Sequence, residues 1–546
     1  MTTRELAIWR WVLVGLTMVL GLANMVDLPM EPHETFVVRT VEEMHDRGEW
    51  VVPYLNDQPR LNKPPLSYWF TAMVAEIAGD LHRVAPWEGR LVSVLAGAGL
   101  VAVTGLLGVA LAGPAVGLMA AAIAASSQGV FYYIHSARPE MLYAFWCALG
   151  LLAFVQAWQA GRADVRLRWV LGMWGAFALA CLTKGPQLPL MLVLALALFT
   201  RLHAPLRSST LDLIRPMWGL LILAAINLPW WYAMRQGVGA EVLQQSQLGG
   251  TLLRPRLPDG DPYYFYRTWQ LVLPWVGLLP ALMMLRRAEG QRPMLLWLGL
   301  VITVPAALLS FGPQERWYYM LPVLPALCLL LAVAATRFWN VGRLRRWMPL
   351  WVLVHGSLML AVLVWSYSQA SPLSWLPLAG ILGLIALFAI AWRGHRRGMS
   401  LPGWLLITAL LFMTTTASVA YTPRMWGLDR YEERNGALRL ARLVRDDEPL
   451  ASWRTDATNL IYYLDRAIPR AEHPADLTRL QARWVLAPTR TVASLAAAVP
   501  VAGHCALDTG DGYLWLIRVG TAAEAQSNPA FSSPDCDRRP LPAPAP

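Results

Sequence analysis

The chain carries few charges for its length of 546 residues. Charged residues make up 15% of the sequence and hydrophobic residues 56%, whereas an average soluble protein has roughly 25% charged residues. This composition excludes disordered, collagen-like and coiled-coil proteins, which are polar, glycine-periodic or rich in charged heptads. It predicts an all-α polytopic membrane protein instead of a series of soluble domains.

The common motifs of metal and nucleophile chemistry are missing as well. The sequence has no HExxH element, no CxxC pair, no phosphate-binding glycine loop and no GxSxG element, and each of these marks a familiar enzyme class. The net charge of +11 comes from short basic clusters between apolar runs. This distribution argues against a nucleic-acid partner, which needs a continuous basic surface.

Cysteine is scarce, with five residues in the chain. Three lie singly in apolar runs and are expected to pack as small hydrophobic side chains: Cys147, Cys181 and Cys328. Cys505 and Cys536 lie in the polar C-terminal region. A disulfide between these two is open, since it requires an oxidising compartment.

Apolar runs of about 20 residues predict membrane-spanning helices. Thirteen such runs lie near residues 7–27, 91–112, 116–136, 141–160, 169–183, 187–201, 216–234, 271–285, 293–311, 317–336, 347–367, 375–392 and 401–420. Residues 24–27 offer no small-residue cleavage site, so the first run is predicted to be a retained helix and not a signal peptide.

Orientation depends on the apolar segment 66–79, which is short and contains Glu76. If it does not span, the arginine clusters that follow alternate spans all lie on the side of the N-terminus: 162–168, 201–215, 286–292, 337–346 and 393–397. By the positive-inside rule that side is cytoplasmic. The segment is therefore predicted to be a helix in the outer interface, and residues 28–90, 235–270 and 421–546 are predicted to face outward.

The C-terminal region has the composition of a soluble domain, separate from a transmembrane domain over 1–420. Over 421–522, periodicity predicts helices at 431–445 and 456–464 and strands at 449–453, 483–487 and 512–519. A small α/β domain follows from this pattern. Residues 523–546 are rich in proline, serine and alanine and are predicted to be a disordered tail.

The first outer loop, 28–90, is dense in functional groups. Pro32 at a first helical position and Gly48 as a terminator predict a helix that ends at Arg47. It has an apolar stripe of Phe36, Val37, Val41 and Met44 and an opposite face of Arg39, Glu42, Glu43 and Asp46. His33 and Glu34 flank the stripe and are expected to point toward the membrane bundle as candidate catalytic groups, with a divalent metal as a further option. The alternative is that they only stabilise the helix N-terminus.

Lysine occurs only twice among 46 basic residues, as Lys63 and Lys184. Both lie on the predicted outer side, where a compact, flexible ammonium group suits contact with a phosphate. Chance combined with interfacial snorkelling is the alternative. Arg316 is a third cation at an outer helix end, beside aromatic residues that include Tyr319.

Arg138 and Glu140 lie at the outer end of the third span. Burying an ionisable group without a partner costs several kcal/mol, so such residues are functional candidates by default. A purely structural ion pair between them is the competing interpretation. Glu88 and Arg90 present the same ambiguity.

Five sequence elements together resemble the membrane glycosyltransferases of the GT-C fold (families 39 and 83). They are Glu31-Pro32-His33-Glu34, the helix end from Arg47 to Pro53, the segment from Asn62 to Trp69, Thr183-Lys184-Gly185 and the segment from Arg316 to Pro325. The likeness is strongest to the bacterial branch that contains the aminoarabinose transferase of lipid A, with protein O-mannosyltransferases as more distant relatives. It covers about 420 residues, the membrane part of the chain.

The resemblance implies a polyprenyl-phosphate sugar as donor and a lipid, glycan or protein as acceptor, at the periplasmic face of a bacterial inner membrane. It also implies about thirteen spans and a periplasmic C-terminal domain. Lys63 matches the lysine that contacts the lipid phosphate, and Lys184 and Arg316 are further phosphate-binding candidates. Arg138, Glu88, Arg90 and Tyr319 are secondary candidates, and no cofactor is required.

Among the acidic positions, Glu140 matches the family's second acidic residue. His33-Glu34 stands where the family usually has Asp-Glu. His33, Glu34 and Glu140 are therefore candidate bases for the acceptor hydroxyl, or this protein needs no strong base. Transfer by a single displacement would invert the anomeric carbon.

Two other classes are weighed against the enzyme. A transporter or lipid flippase usually places ionisable groups near the bilayer midplane and has internal repeats, neither of which the sequence has. An assembly scaffold leaves the first loop unexplained. The sequence therefore favours a glycosyltransferase.

Overall fold

The structure is a computed structural model of the full chain. It describes residues 1–239, 241, 263–287, 292–311, 315–340, 343–369, 376–420, 428–508, 513–520 and 536. The predicted tail 523–546, apart from Cys536, and most of the predicted loop 235–270 lie outside the described residues.

The described chain forms two compact units. The first contains Met1–Val26, Gly48–Pro53 and the chain from Arg60 to the last membrane helix. The second combines Asp27–Arg47 and Tyr54–Pro59 with the C-terminal residues. Two pieces of the first loop therefore belong to the same unit as the C-terminal region. The end of the transmembrane domain at 420 and the end of the soluble domain at 522 stay predictions.

Most of the helices before the C-terminal region build the first unit, and α2 belongs to the second. The helices are α1 (Thr3–Leu22), α2 (Pro32–Asp46), α3 (Leu66–Ala78), α4 (Pro86–Ala112), α5 (Pro114–Ala125), α6 (Gln128–Ile134), α7 (Pro139–Gln159), α8 (Ala163–Lys184), α9 (Gln187–Leu202), α10 (Thr210–Ile214), α11 (Pro216–Val238), α12 (Tyr263–Arg267), α13 (Arg292–Leu309), α14 (Leu324–Asn340), α15 (Arg343–Gln369), α16 (Leu376–Arg396) and α17 (Leu401–Val419). Four 3₁₀ segments accompany them in the described part of the chain: Ala204–Ser209, Thr268–Val272, Trp275–Arg287 and Trp317–Val323.

Ten helices of the described chain are long and apolar enough to cross a membrane. They are Thr3–Leu22, Pro86–Ala112, Pro139–Gln159, Ala163–Lys184, Ala204–Val238, Arg292–Leu309, Trp317–Asn340, Trp347–Ser366, Leu378–Arg396 and Leu401–Val419. Helices α5 and α6, bent by 52° against each other, give an eleventh if they count as one span. The all-α polytopic membrane fold is thereby confirmed.

Two of the thirteen predicted spans are shorter than a typical crossing. Helix α9 has 16 residues, which is about 24 Å at 1.5 Å per residue, less than the hydrocarbon thickness of about 30 Å. The other is the 3₁₀ segment Trp275–Arg287. The number thirteen therefore stays a prediction. Segment 66–79 contains the 13-residue helix α3, which is too short to span; its place in the outer interface stays a prediction.

The helices begin and end where their sequences dictate. Pro86, Pro114 and Pro139 occupy first helical positions, where a missing N–H is harmless. Gly185 follows α8 at φ +118°, a conformation that an L-residue adopts only with strain. The core of the unit is built around α4, which packs against α1, α5 and α7.

The second unit contains a mixed five-stranded sheet with helices on both faces. The helices are α18 (Leu428–Leu443), α19 (Thr458–Tyr463), α20 (Pro474–Arg479) and α21 (Thr489–Ala498), and the strands are β3 (Leu450–Trp453), β4 (Arg470–Ala471), β5 (Trp484–Pro488), β6 (Val501–Asp508) and β7 (Tyr513–Val519). The strand order is β4-β3-β5-β7-β6. Strand β3 runs parallel to β4 and β5, and β7 runs antiparallel to β5 and β6.

Both predicted helices and all three predicted strands of this region are present. The sequence analysis missed β4, β6, α20 and α21, of which β4 has only two residues. Alternate residues of β3 and β5 face opposite sides of the sheet, so that each side has its own apolar core. Cys505 lies in one of these cores and Cys536 packs against it. The disulfide stays a prediction.

A hairpin from the first loop joins this unit. Strands β1 (Tyr54–Leu55) and β2 (Gln58–Pro59) are linked by Asn56 and Asp57, both at positive φ, as a tight two-residue turn requires. Asn56 Nδ2 donates to the Ile468 carbonyl at 2.9 Å, and Asn56 Oδ1 accepts from the Ile468 N–H at 2.7 Å. The side chain of Asn56 thus pairs with the C-terminal part of the unit as a backbone segment would.

Asn56→Gly is expected to destabilise the second unit by about 2 kcal/mol, because it removes two hydrogen bonds to partly buried backbone groups. Glycine keeps the positive φ without strain, so the loss reports the side chain alone. Thermal unfolding of the purified full-length protein measures the effect. Gln58→Ala, at an exposed position of the same hairpin, serves as control, and equal midpoints for the two variants would contradict the expectation.

Candidate active site

The loop that carries Lys63 is fixed on both sides. The Arg60 N–H donates to the Pro53 carbonyl at 2.7 Å, and Trp69 Nε1 in α3 donates to the Trp50 carbonyl at 2.9 Å. Pro64 and Pro65 restrict the backbone between Lys63 and α3. The lysine is thus held on a rigid turn at the start of a helix.

The side chain of Lys63 is partly buried and forms neither a hydrogen bond nor an ion pair with any residue in the described chain. Burial, with a smaller effect of the positive charges of Lys184, Arg60 and Arg316, lowers its pKa to about 8, and Glu140 opposes the shift. An ammonium group in this position, among other cations and without a partner, is poised to bind an anion.

Glu140 accepts hydrogen bonds from two cations. Arg138 binds it in a bidentate manner, with Nε to Oε2 at 3.2 Å and Nη2 to Oε1 at 3.2 Å. Lys184 Nζ lies 3.1 Å from Oε1. The three side chains are between 5% and 9% exposed. Such buried, charge-assisted hydrogen bonds fix geometry strongly, so Glu140 holds Arg138 and Lys184 in place.

Helix ends deliver these residues to one location. Arg138 is the N-cap of α7, with Pro139 at the first helical position and Glu140 in the first turn, where a carboxylate is stabilised by the helix dipole. Lys184 lies in the last turn of α8, where a cation is favoured for the same reason. The Tyr143 hydroxyl donates to the Gly185 carbonyl at 3.0 Å and so ties α7 to the end of α8.

Aromatic rings enclose the buried cations. Lys184 Nζ lies 5.1 Å from the ring centroid of Tyr318 and 4.8 Å from that of Tyr319. Arg138 Cζ lies 4.8 Å from the Tyr318 centroid and 5.4 Å from that of Tyr133. These cation–π contacts stabilise the charges away from water. The sequence analysis named Tyr319 but missed Tyr318 and Tyr133, whose roles depend on the approach of distant segments.

Arg316 completes the group at its more exposed edge. Its Nη1 donates to the Tyr318 hydroxyl at 3.1 Å, and its backbone N–H donates to the Tyr264 hydroxyl at 3.2 Å. The hydrogen bond to Tyr318 raises the pKa of the guanidinium group above its usual value. Arg316 therefore stays charged and keeps most of its donors available.

We call the side chains of Lys63, Arg138, Lys184 and Arg316, together with Glu140, the cationic cluster. With its cations protonated it carries four positive charges against one carboxylate among the described residues. Like charges about 4 Å apart repel by about 4 kcal/mol in a partly buried setting. The excess is relieved by an anion with several acceptor oxygens, and a phosphate meets this description.

Glu88 and Arg90 have other contacts. Glu88 Oε2 accepts from the Ala85 N–H at 3.0 Å at the start of α4, as a capping residue does. Arg90 is fully buried and its Nη1 donates to the Met25 carbonyl at 2.7 Å. The contacts described for both residues serve helix ends, and their candidacy as site residues stays a prediction.

His33 and Glu34 lie in α2, which belongs to the second unit. Helix α2 spans Pro32–Asp46, and Gly48 follows at φ +63°, as predicted. Glu34 is fully buried and its Oε2 accepts from the Glu31 N–H at 3.0 Å, so this carboxylate also caps the helix. The His33 ring packs edge-on against Phe36 with centroids 5.8 Å apart. Their catalytic role stays a prediction.

On the face of α2 that the sequence marks as polar, Arg39, Glu42 and Glu43 are buried and Asp46 is exposed. Arg39 Nη1 lies 2.7 Å from Glu42 Oε2 and 2.6 Å from Asp465 Oδ1. Both oxygens of Glu43 accept from the turn of the hairpin, from the N–H groups of Asn56 and Asp57. Charged residues fill this face because partners of opposite charge or polarity come from elsewhere in the unit.

Comparison with known proteins gives a consistent result. Residues 62–232 match the family described as dolichyl-phosphate-mannose-protein mannosyltransferase. The undecaprenyl phosphate-alpha-4-amino-4-deoxy-L-arabinose arabinosyl transferase of Pseudomonas aeruginosa is 26% identical over 465 residues, which cover 79% of this chain and 80% of the relative. The second enzyme of that name in Proteus mirabilis is 27% identical over 314 residues, or 55% of this chain and 54% of the relative.

Solved structures show the same fold. The crystal structure of ArnT from Cupriavidus metallidurans in the apo state aligns with a TM-score of 0.72 at 18% identity, over 94% of this chain and 98% of ArnT. The structure of the same protein bound to undecaprenyl phosphate aligns with a TM-score of 0.71 at 19% identity, over 95% and 99%. This chain therefore has the GT-C fold of membrane glycosyltransferases and resembles the aminoarabinose transferases over most of its length.

Proposed function

We propose that the protein transfers a sugar from a polyprenyl phosphate to an acceptor at the outer, periplasmic face of the bacterial inner membrane. The observation that carries the proposal is the cationic cluster. Among the described residues, Lys63 has no hydrogen-bond or ion-pair partner there, and positive charge exceeds negative charge by three. The relatives of this chain are named for the transfer of aminoarabinose from undecaprenyl phosphate. The expected donor is therefore a polyprenyl-phosphate sugar, and by analogy with these relatives the sugar is a pentose.

The chemistry follows from the charge on the phosphate. In the donor the phosphate is a diester with one negative charge. When the acceptor oxygen attacks the anomeric carbon, the bond from this carbon to the phosphate oxygen breaks and its electron pair stays on that oxygen. The phosphate becomes a monoester with up to two charges. A preorganised cationic group stabilises this change more than it stabilises the donor, which lowers the barrier.

Each side chain has a separate role in this proposal. Lys63 and Arg316 bind the phosphate directly, since both keep donors available in the described structure. Glu140, with its oxygens engaged by Arg138 and Lys184, positions these two cations. The proton of the acceptor hydroxyl passes to His33 or Glu34, both of which have the chemistry of a general base. Inversion at the anomeric carbon results.

A transporter is not favoured, because the cationic cluster lies at helix ends instead of at the middle of the spans. Purified protein, given a radiolabelled polyprenyl-phosphate sugar and acceptor membranes, separates the classes. The enzyme yields labelled acceptor together with free polyprenyl phosphate. Movement of intact donor without release of lipid phosphate would overturn the proposal.

Lys63→Ala is expected to lower kcat/KM by about 100-fold, because a charge-assisted contact to the leaving phosphate is worth about 3 kcal/mol. The affinity for undecaprenyl phosphate should fall with it. Initial rates with a labelled donor and equilibrium binding of the lipid measure the two effects. Arg83→Ala removes another cation of the first loop and should leave both values near wild type. An unchanged rate in Lys63→Ala would remove the proposed role of Lys63.

The rate of transfer should depend on the charge of Lys63. Its pKa of about 8 leaves the ammonium form intact below pH 7 and removes it as the pH rises through 8 toward 9. The value of kcat/KM should fall over this interval, because this parameter reports the free enzyme. In Lys63→Arg the guanidinium group stays charged, and the alkaline fall should move to higher pH. The same alkaline limb in both proteins would assign it to another group.

Glu140→Gln should separate binding from transfer. An amide cannot accept from both cations as a carboxylate does, so Arg138 and Lys184 lose their fixed geometry while their charges remain. We expect kcat to fall by about 100-fold, with the Kd for undecaprenyl phosphate within about threefold of wild type. Glu140→Asp is the matched variant that keeps the charge. Loss of lipid binding in Glu140→Gln would show that the carboxylate acts at an earlier step.

A further inference from the structure

The N-terminal turn of α2 is held at three points by α18 and α19 of the second unit. Arg430 Nη2 lies 2.8 Å from Glu31 Oε2, at the N-cap of α2. The Met30 N–H donates to the Tyr463 hydroxyl at 3.0 Å. Thr35 Oγ1 donates to Asn459 Oδ1 at 2.8 Å. His33 and Glu34 lie between these points along the chain, so their backbone is fixed from both sides.

Asn459 connects α2 to α18 through two side-chain hydrogen bonds. Its carbonyl oxygen accepts from Thr35, and its Nδ2 donates to Glu433 Oε2 in α18 at 2.6 Å. A carboxylate only accepts and an amide nitrogen only donates, so the amide has one permitted orientation. Thr35 is fully buried and Asn459 is 1% exposed. Water is therefore a poor substitute for either partner, and loss of one leaves the other unsatisfied.

The hydrogen bond from Thr35 to Asn459 affects the position of the candidate bases His33 and Glu34. Thr35 follows Glu34 in the chain and lies in the same helical turn as His33. A shift of Thr35 moves the Cβ atoms of both, because a helix transmits displacement along its turn. A misplacement of about 1 Å at a catalytic group costs on the order of 100-fold in rate.

We infer that Asn459 is a positioning residue, which holds the first turn of α2 through Thr35 so that His33 or Glu34 meets the acceptor hydroxyl. This inference rests on the proposed function. It assigns to the C-terminal α/β region a part in the transfer reaction, the orientation of the base, which mutation can separate from the binding of the phosphate.

The test compares four variants of the purified full-length protein. Thr35→Val removes the hydroxyl at nearly constant volume, and Asn459→Ala removes its acceptor. Thr35→Ser keeps the hydroxyl and should restore the contact. Ser494→Ala is the matched control: it removes one hydrogen bond of the same unit, from Trp453 Nε1 to Ser494 Oγ at 3.1 Å, on the side of the sheet opposite α19.

Thr35→Val and Asn459→Ala should lower kcat by at least about tenfold, with the donor KM and the Kd for undecaprenyl phosphate within about twofold of wild type. Thr35→Ser and Ser494→Ala should stay within about twofold of wild type in all three quantities. Hydrogen–deuterium exchange should increase over Pro32–Asp46 in Thr35→Val and remain unchanged there in Ser494→Ala. This second readout follows the holding of α2 and does not require activity.

The outcomes distinguish the two proposals. If wild-type protein transfers no sugar, the proposed function is overturned. If wild-type protein is active and Thr35→Val retains its kcat, or loses no more than Ser494→Ala, the positioning role is overturned. A fall in lipid affinity as large as the fall in kcat would overturn it also. Should Asn459→Ala fail to fold, Thr35→Val and Thr35→Ser decide the question by themselves.

Discussion

The first unit depends on one carboxylate, which offsets the positive charge of several cations that are largely buried. Glu140 engages Arg138 and Lys184 with both of its oxygens, and aromatic rings cover the same cations. Without this carboxylate the repulsion between Arg138 and Lys184 would oppose the approach of the ends of α7 and α8. With it, enough positive charge remains for a phosphate. Structure and chemistry thus depend on the same imbalance of charge.

Much of the fold could be predicted, because membrane helices and periodic segments are indicated by the local sequence. The helix from Pro32, the short helix after Pro65 and the strands around Trp453 and Trp484 all appear where capping residues, length and alternation indicate them. The bend between α5 and α6 and the 3₁₀ geometry of Trp275–Arg287 escaped prediction. Ser127 caps α6 at the bend and Pro280 lies inside the 3₁₀ segment, and an average over an apolar run does not register such local breaks.

The candidate site was predictable in part. The rarity of lysine drew attention to Lys63 and Lys184, and their position at helix ends agrees with a role for charge. The sequence could not foresee that Lys184 is already paired with Glu140, or that Tyr318 contacts both Arg138 and Lys184. Lys184 and Glu140 are 44 residues apart in the chain, and Tyr318 is farther still from both cations. Such pairings emerge only when tertiary packing brings helix ends together, and the burial of charged residues on α2 has the same origin.

The partnership of Thr35 with Asn459 joins residues 424 positions apart in the chain. During synthesis, α2 leaves the ribosome long before its binding partners exist, so it must wait while the intervening membrane helices are inserted. Contacts of such high sequence separation form late and slowly. The protein therefore has a built-in order of assembly: a chain truncated before residue 459 retains the helices of the bilayer but leaves α2 without the hydrogen bond that holds its first turn.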